Sequence, residues 1–128
     1  MRLLLLALLL YGAYYYGSRR YALHDALTYA QKNPQSKLSA PVEYYFGVIY
    51  YQRSDYRKAQ KAFTSLLEQH PTDYYVEKAL MPLEDCAEND MDWDAAKAAS
   101  RRYLDDYPSG PYAELARRRL DMLNYRHP

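Results

Sequence analysis

The side chains best able to do chemistry in this chain are three histidines, one cysteine and a run of carboxylates. Their spacing keeps most of them apart. His24, His70 and His127 fall in different predicted elements, and none has a second histidine one helical turn away. Paired metal ligation from one helix face is therefore not available to them. Cys86 is the only cysteine in these 128 residues, so they can form no disulfide among themselves and no cysteine-based zinc site. A lone cysteine inside a helical stretch reads as a small buried apolar residue.

Glu84, Asp85, Glu88, Asp90, Asp92 and Asp94 gather around a predicted turn between two helices. The alternation from Glu88 to Asp94 has the outline of a calcium loop. The glycine such a loop needs for its tight bend is missing, and Trp93 opens the next helix, so the stretch reads as a solvated acidic patch. Arg101, Arg102, Arg117, Arg118 and Arg119 form a basic counterpart on the last two predicted helices. They read as a solvated face that also offers docking to an acidic partner or to lipid headgroups. No nucleophile, base and orienting group fall into one constellation. We therefore expect no enzyme activity, no cofactor, no metal and no small-molecule substrate. With 17 Lys and Arg against 16 Asp and Glu, the net charge is +1, which gives no electrostatic argument for nucleic acid.

The elements that carry these residues repeat. Pro34, Pro71 and Pro108 lie 37 residues apart. Each closes a helical stretch: YALHDALTYAQKNP, YRKAQKAFTSLLEQHP and WDAAKAASRRYLDDYP. A fixed period of this length predicts stacked helical hairpins, an all-α fold. In the clearest unit, residues 40–71, a first helix is expected from about Pro41 to Gln52, with Tyr45, Phe46, Ile49 and Tyr50 as its apolar face. Ser54 and Asp55 are expected to cap a second helix running to about Gln69, with Tyr56, Ala59, Ala62, Phe63, Leu66 and Leu67 in one stripe. In the next unit Trp93, Ala96 and Pro108 fall in step with Tyr56, Ala59 and Pro71. Ser100 replaces the large aromatic, whose bulk is expected to move to Tyr103. Pro82 predicts a kink or a late start in the helix before it. The unit ending at Pro34 has Ala22, Ala26, Tyr29 and Ala30 in step. A last helix over about 111–125, capped by Ser109 and started by Pro111, is expected to close the array. It would place Tyr112, Leu115, Ala116, Leu120 and Leu123 inward and Glu114, Arg117, Arg118 and Asp121 outward.

The clearest unit resembles the tetratricopeptide repeat (TPR). Gly47 matches the small residue in the middle of that family's first helix, Phe46 the large residue before it and Tyr50 the tyrosine after it. Ala59, Phe63 and Pro71 match the alanine, aromatic and closing proline of the second helix. Glu43 departs from the early tryptophan. The joint YPSGPYAELARRRLDML also resembles the bacterial envelope branch of this family, which includes outer-membrane assembly lipoproteins and Tol-Pal-associated repeat proteins. That resemblance covers residues 41–125. It departs at the N-terminus, because those lipoproteins carry an N-terminal cysteine and no cysteine lies near the start here. The resemblance implies a groove lined by the first helices that holds peptides. The matching positions are Tyr44, Val48, Tyr51 and Gln52. They lack the Lys and Asn that grip a C-terminal carboxylate, so an apolar or aromatic helix or strand is the expected occupant.

Residues 1–18 differ from the rest. LLLLALLL at 3–10 has no polar face, so a helix there needs burial on all sides. From Leu3 to Gly17 such a helix is roughly 22 Å long, short of the ~30 Å hydrocarbon core. Tyr11, Tyr14, Tyr15, Tyr16, Arg19 and Arg20 are placed to meet the membrane interface. Three readings stay open: a short transmembrane anchor, a cleaved signal peptide, and a first helix of the array with its turn at Gly17-Ser18. Arg2 on one side and Arg19, Arg20 and Lys32 on the other do not fix an orientation.

Seventeen tyrosines against two phenylalanines and one tryptophan favour half-buried sites, since tyrosine joins an apolar body to a polar tip. About half of them are expected to fill the repeat core, the remainder to meet partners. The expectation is a membrane-anchored scaffold or accessory subunit with residues 19–128 as its repeat domain, contacting other protein subunits through a tyrosine-rich surface. The alternative is an exported, soluble periplasmic or secreted repeat protein acting in envelope assembly or cargo binding.

Overall fold

The computed structural model describes residues 2–34 and 37–128, with the side chains of 16–27 and of Ala30 left aside. All regular structure among the described residues is helical. Helix α1 spans Arg2–Lys32, α2 Ser39–Gln52, α3 Tyr56–Gln69, α4 Tyr74–Asn89, α5 Trp93–Asp106 and α6 Ala113–Arg126. Successive helices pack on each other, and α2 also packs on α4. This is the stacked-hairpin arrangement that the 37-residue period requires.

The period recurs in the backbone. Arg53 and Asp90 end α2 and α4 with the same φ and ψ, −85° and 3°. The next residues, Ser54 and Met91, lie 37 apart and adopt φ of 59° and 58°. Both turns therefore pass through the left-handed region, at some steric cost for side chains of this kind. Ser54 is part of the turn rather than a cap, and Asp55 at the α3 N-cap makes no side-chain capping bond. The caps that do form are Asp73, which accepts from the Tyr75 N–H at 3.0 Å, and Asp92, which accepts from the Ala95 N–H at 3.2 Å. Helix α6 starts two residues after Pro111, with Tyr112 rather than Ser109 at its N-cap. Helix α4 neither starts late nor stops at Pro82; the missing N–H there removes one bond, and packing on both sides holds the helix.

The core runs through α3, α4 and α5. Phe63, Leu66, Val76, Leu80, Cys86 and Tyr103 are fully enclosed. Two predicted small-against-large contacts are present. A Cβ on Gly47 would fall 2.7 Å from Cδ1 and Cζ of Phe63, so only glycine lets α2 approach α3 this closely. Tyr103 takes the volume that Ser100 leaves, and its hydroxyl donates to Glu77 Oε1 and accepts from the Tyr112 N–H, both at 3.1 Å. That bond ties the α5–α6 joint to α4. Helix α6 packs on α5, burying Ala113, Ala116 and Leu123 and exposing Glu114, Arg117, Arg118 and Asp121; Leu115 and Leu120 are half-buried, and Tyr112, expected inward, is exposed at the N-cap.

Three further expectations are corrected. First, the inward face of α2 is Ser39, Ala40, Glu43, Phe46 and Gly47, while Tyr45 and Ile49 are exposed. The helix is apolar almost all round, so periodicity could not fix which side faces in. Second, α1 runs unbroken through Gly17-Ser18, where the period places a turn; at 1.5 Å per residue it is about 46 Å long. Tyr29 on it is exposed, and the expected inward positions Ala22, Ala26 and Ala30 lie outside the described side chains. Third, the transmembrane helix is not found: among the described residues no helix is long and apolar enough to cross a membrane. The leucine run ends at Leu10, and the tyrosines, glycines and Arg19-Arg20 that follow interrupt it before a bilayer width is reached.

Candidate functional site

Of the four expected groove positions, Tyr44 and Tyr51 meet α4, at Tyr75 and Asp85. Tyr44, Val48 and Tyr51 are half-buried and pack on the core, and Gln52 is exposed. Tyr51 is committed within the chain. Its hydroxyl donates to Asp85 Oδ2 of α4 at 2.6 Å, and this bond, with burial, pushes its pKa up to about 12. Tyr51 thus fastens α2 to α4 and has no free proton to set the register of a ligand.

The accessible part of this surface lies at the N-terminal ends of α2 and α4, and sequence reasoning missed most of it. The Tyr44 ring sits 5.2 Å from Tyr45 and 5.0 Å from Tyr75, centroid to centroid. Tyr75 in turn is 5.9 Å from Tyr45 and 5.4 Å from Tyr74. These are edge-on and tilted pairs, the arrangement that aromatic quadrupoles favour. Tyr45 and Tyr74 are 54% and 69% exposed. Burial raises the Tyr44 pKa, and hydrogen bonding to Tyr45 raises that of Tyr75. A signal was present in the sequence: a Tyr-Tyr pair stands near the start of two successive first helices, at 44–45 and 74–75.

The acidic stretch is not one site, because its members have separate tasks. Asp85 accepts from Tyr51. Glu88 pairs with Arg119 at 2.8 Å, and Asp92 caps α5 and accepts from Gln60 Nε2 at 2.9 Å. Among the described residues no three of His, Cys, Asp and Glu could hold a metal ion. Cys86 is buried in α4, and burial pushes its thiol up to about 12, an unreactive state. His70 Nε2 lies 3.0 Å from Ser39 Oγ, and the His127 ring stacks 3.7 Å from Trp93. The side chain of His24 lies outside the described residues. The basic face is partly used as well: Arg102 donates to the Pro71 carbonyl at 3.3 Å and pairs with Asp106 at 3.5 Å. Arg101, Arg117 and Arg118 are exposed.

Tyr11, Tyr14 and Tyr15 are exposed on α1, with Tyr11 and Tyr15 stacked at 5.8 Å. The side chains of Tyr16, Arg19 and Arg20 lie outside the described residues. All seven leucines between Leu3 and Leu10 are more than half exposed. Of the tyrosines with described side chains only Tyr103 is fully buried. The tyrosine excess thus serves half-covered and exposed positions far more than the core.

Among the described residues Glu84 is the carboxylate held furthest from its ordinary state. It is 1% exposed with Oε1 unpartnered, and burial and the adjacent Glu88 raise its pKa to about 8. Folded Glu84 keeps a proton that the unfolded chain releases above its ordinary value near 4.5. Its contribution is therefore present at low pH and is lost as pH rises from about 4.5 to about 8. Buried Glu43, raised by burial against the opposing pull of Ser65 and His70, acts in the same direction. Glu84→Gln is expected to flatten the fall in thermal stability between pH 5 and 8.5, a difference on the order of 2 kcal/mol. Melting curves at the two pH values check this; an equal fall in both proteins would show Glu84 ionised in the fold.

The paired helices, the glycine-against-phenylalanine crossing and the closing sixth helix define a tetratricopeptide-like repeat protein. The YfiO family, described as outer membrane lipoprotein, matches residues 39–125, and the chain belongs to that family. No curated protein matches it significantly.

Proposed function

We propose that this chain is a non-catalytic scaffold of the bacterial envelope, an accessory subunit that joins other proteins into a membrane-associated complex. The observation that carries the reading is the family membership over α2–α6, because the family's description places its members at the outer membrane. Two features support it. Among the described residues Asp85, Glu88 and Asp92 tie helices together through Tyr51, Arg119 and Gln60, while an aromatic surface is left exposed. The leucines of α1 at 3–10 are exposed on every side, a state that lipid or a partner protein must relieve. Since α1 is too short in apolar length to cross a bilayer, we place its leucine end against the membrane or in a partner, with Tyr11, Tyr14 and Tyr15 at the water boundary.

Removal of residues 1–18 is expected to release the protein from native membranes and leave the helical content of α2–α6 intact. Fractionation of cells expressing the two forms, followed by mild-detergent purification and mass spectrometry of co-purifying subunits, tests both halves. Full-length protein in the membrane fraction with stoichiometric companions supports the scaffold. A full-length protein that purifies as a monodisperse monomer without detergent or companions overturns it.

A further inference from the structure

Helix α6 has a light apolar hold on the array. Of its residues only Ala113, Ala116 and Leu123 are buried, and two of these are alanines. Its other ties are polar. Arg119 pairs with Glu88 of α4 at 2.8 Å, Lys97 of α5 donates to the His127 carbonyl just past the helix, and the Tyr112 N–H at its N-cap donates to Tyr103. An end helix held in this way opens locally at less cost than the whole domain. Glu84 stands one turn before Ala87 and Glu88 on α4, and both of those meet α6: Ala87 shares a buried cluster with Leu123, and Glu88 holds Arg119. Glu84 itself is enclosed, with Oε1 unpartnered.

We propose that Glu84 is a proton latch for α6: its protonated carboxyl keeps α6 closed on the array, and its ionisation favours an open C-terminal end. The charges around it set the direction. On α4, Glu88 acts on Glu84 by charge and by a hydrogen bond, and Asp85 by charge; from α6, Arg119 acts the opposite way. From α5 the buried polar side chains are Lys97, engaged by His127, and Ser100, whose Oγ has no partner. Tyr51 of α2 is held by Asp85, and α3 keeps its charged residues Arg57, Lys58, Lys61 and Glu68 exposed. Arg119 is thus the one cation on record beside two carboxylates, and Glu88 already holds it. While Glu84 is protonated the charges balance. Once it ionises, an uncompensated negative charge is enclosed, and opening α6 lets water solvate it. Burial, the largest influence, and Glu88 outweigh Arg119 and raise Glu84 to about 8. The closed end therefore keeps a proton that the open end releases above the ordinary value near 4.5. The hold on α6 is complete at low pH and is lost as pH rises towards about 8.

Amide hydrogen exchange of the full chain, read peptide by peptide from about pH 5 to about pH 8 and corrected for the intrinsic exchange rate, tests the latch. The opening constant of α6 is expected to exceed that of α4 around Leu80 at least tenfold, and to rise with pH by up to tenfold per unit. Glu84→Gln cannot ionise and should hold the α6 opening constant level across the range. Histidine commonly changes charge in this range, so His127→Phe, which keeps a ring on Trp93, is the control and should leave the rise in place. An α6 opening constant that stays level with pH in the native chain, or that only equals that of α4, would overturn the proposal. So would a rise that persists in Glu84→Gln or vanishes in His127→Phe. The comparison of α6 with α4 in the native chain needs no variant, so it decides the matter even where Glu84→Gln does not fold.

Discussion

Tyr103→Ala is expected to cost about 4 kcal/mol, enough to remove a large share of the stability of a domain this small. The ring is fully enclosed between α4, α5 and the α6 joint. Truncation leaves a cavity with little means of collapse, because Gly110 beside it has no side chain to fill the space. It also leaves the Tyr112 N–H and Glu77 without the partner that joins them. Tyr103→Phe separates the two contributions. It keeps the ring and loses only the hydroxyl, so it should cost on the order of 1–2 kcal/mol. Urea unfolding of the three proteins measures this directly. A Phe variant as damaged as the Ala variant would place the stability in the hydroxyl bridge and not in packing. The same geometry makes Gly110 dependent on Tyr103. A Cβ on Gly110 would lie 3.1 Å from Tyr103 Cζ and 3.2 Å from Glu77 Oε1, as well as against the hydroxyl. Gly110→Ala should therefore be less harmful in the Phe variant than in the native chain, a non-additivity that a double-mutant cycle would show.

Gly47→Leu is the second large effect. Even one added carbon would lie within the Phe63 ring contact, and Phe63 is fully buried with no room to withdraw. Gly47→Ala sets an overpacking cost of roughly 1–3 kcal/mol against a helix-propensity gain of about 1 kcal/mol, for a net loss. Leucine adds three further carbons and should separate α2 from α3, costing more than 3 kcal/mol by the upper end of that scale. Because α2 also carries Tyr44 and Tyr45, the variant should disturb their packing on Tyr75 along with its stability. Phe63→Leu in the Gly47→Ala background is expected to recover part of the loss by vacating the space the new methyl needs. If Gly47→Ala unfolds at the same urea concentration as the native chain, the close crossing of α2 and α3 is not what the fold requires at this position.

Both contacts were legible in the sequence, and for the same reason. The resemblance to the repeat family puts Gly47 and Phe63 on facing helices of one hairpin, and the loss of the aromatic at Ser100 left a volume that Tyr103 could reach from the next turn. The groove was legible only in part. Tyr44, Val48, Tyr51 and Gln52 share a side of α2 by their helical spacing, but the pairing of Tyr51 with Asp85 depends on where α4 packs. The Tyr-Tyr pairs at 44–45 and 74–75 were visible as text and silent as a site, since their closeness in space comes from stacking two helices that are 30 residues apart in sequence.

By itself the sequence determined the all-α class, the helix ends at Pro34, Pro71 and Pro108, the closing sixth helix and the place of Gly47. These follow from local sterics and from a repeating pattern, which a linear chain records in full. Only the tertiary structure decided the inward face of α2, which is apolar almost all round and so has no preferred side until α3 and α4 pack on it. It alone decided that α1 continues past Gly17-Ser18, where no breaker strong enough to end a helix stands. It also decided the state of Glu84, an ordinary charged residue in sequence that packing in the fold leaves without water.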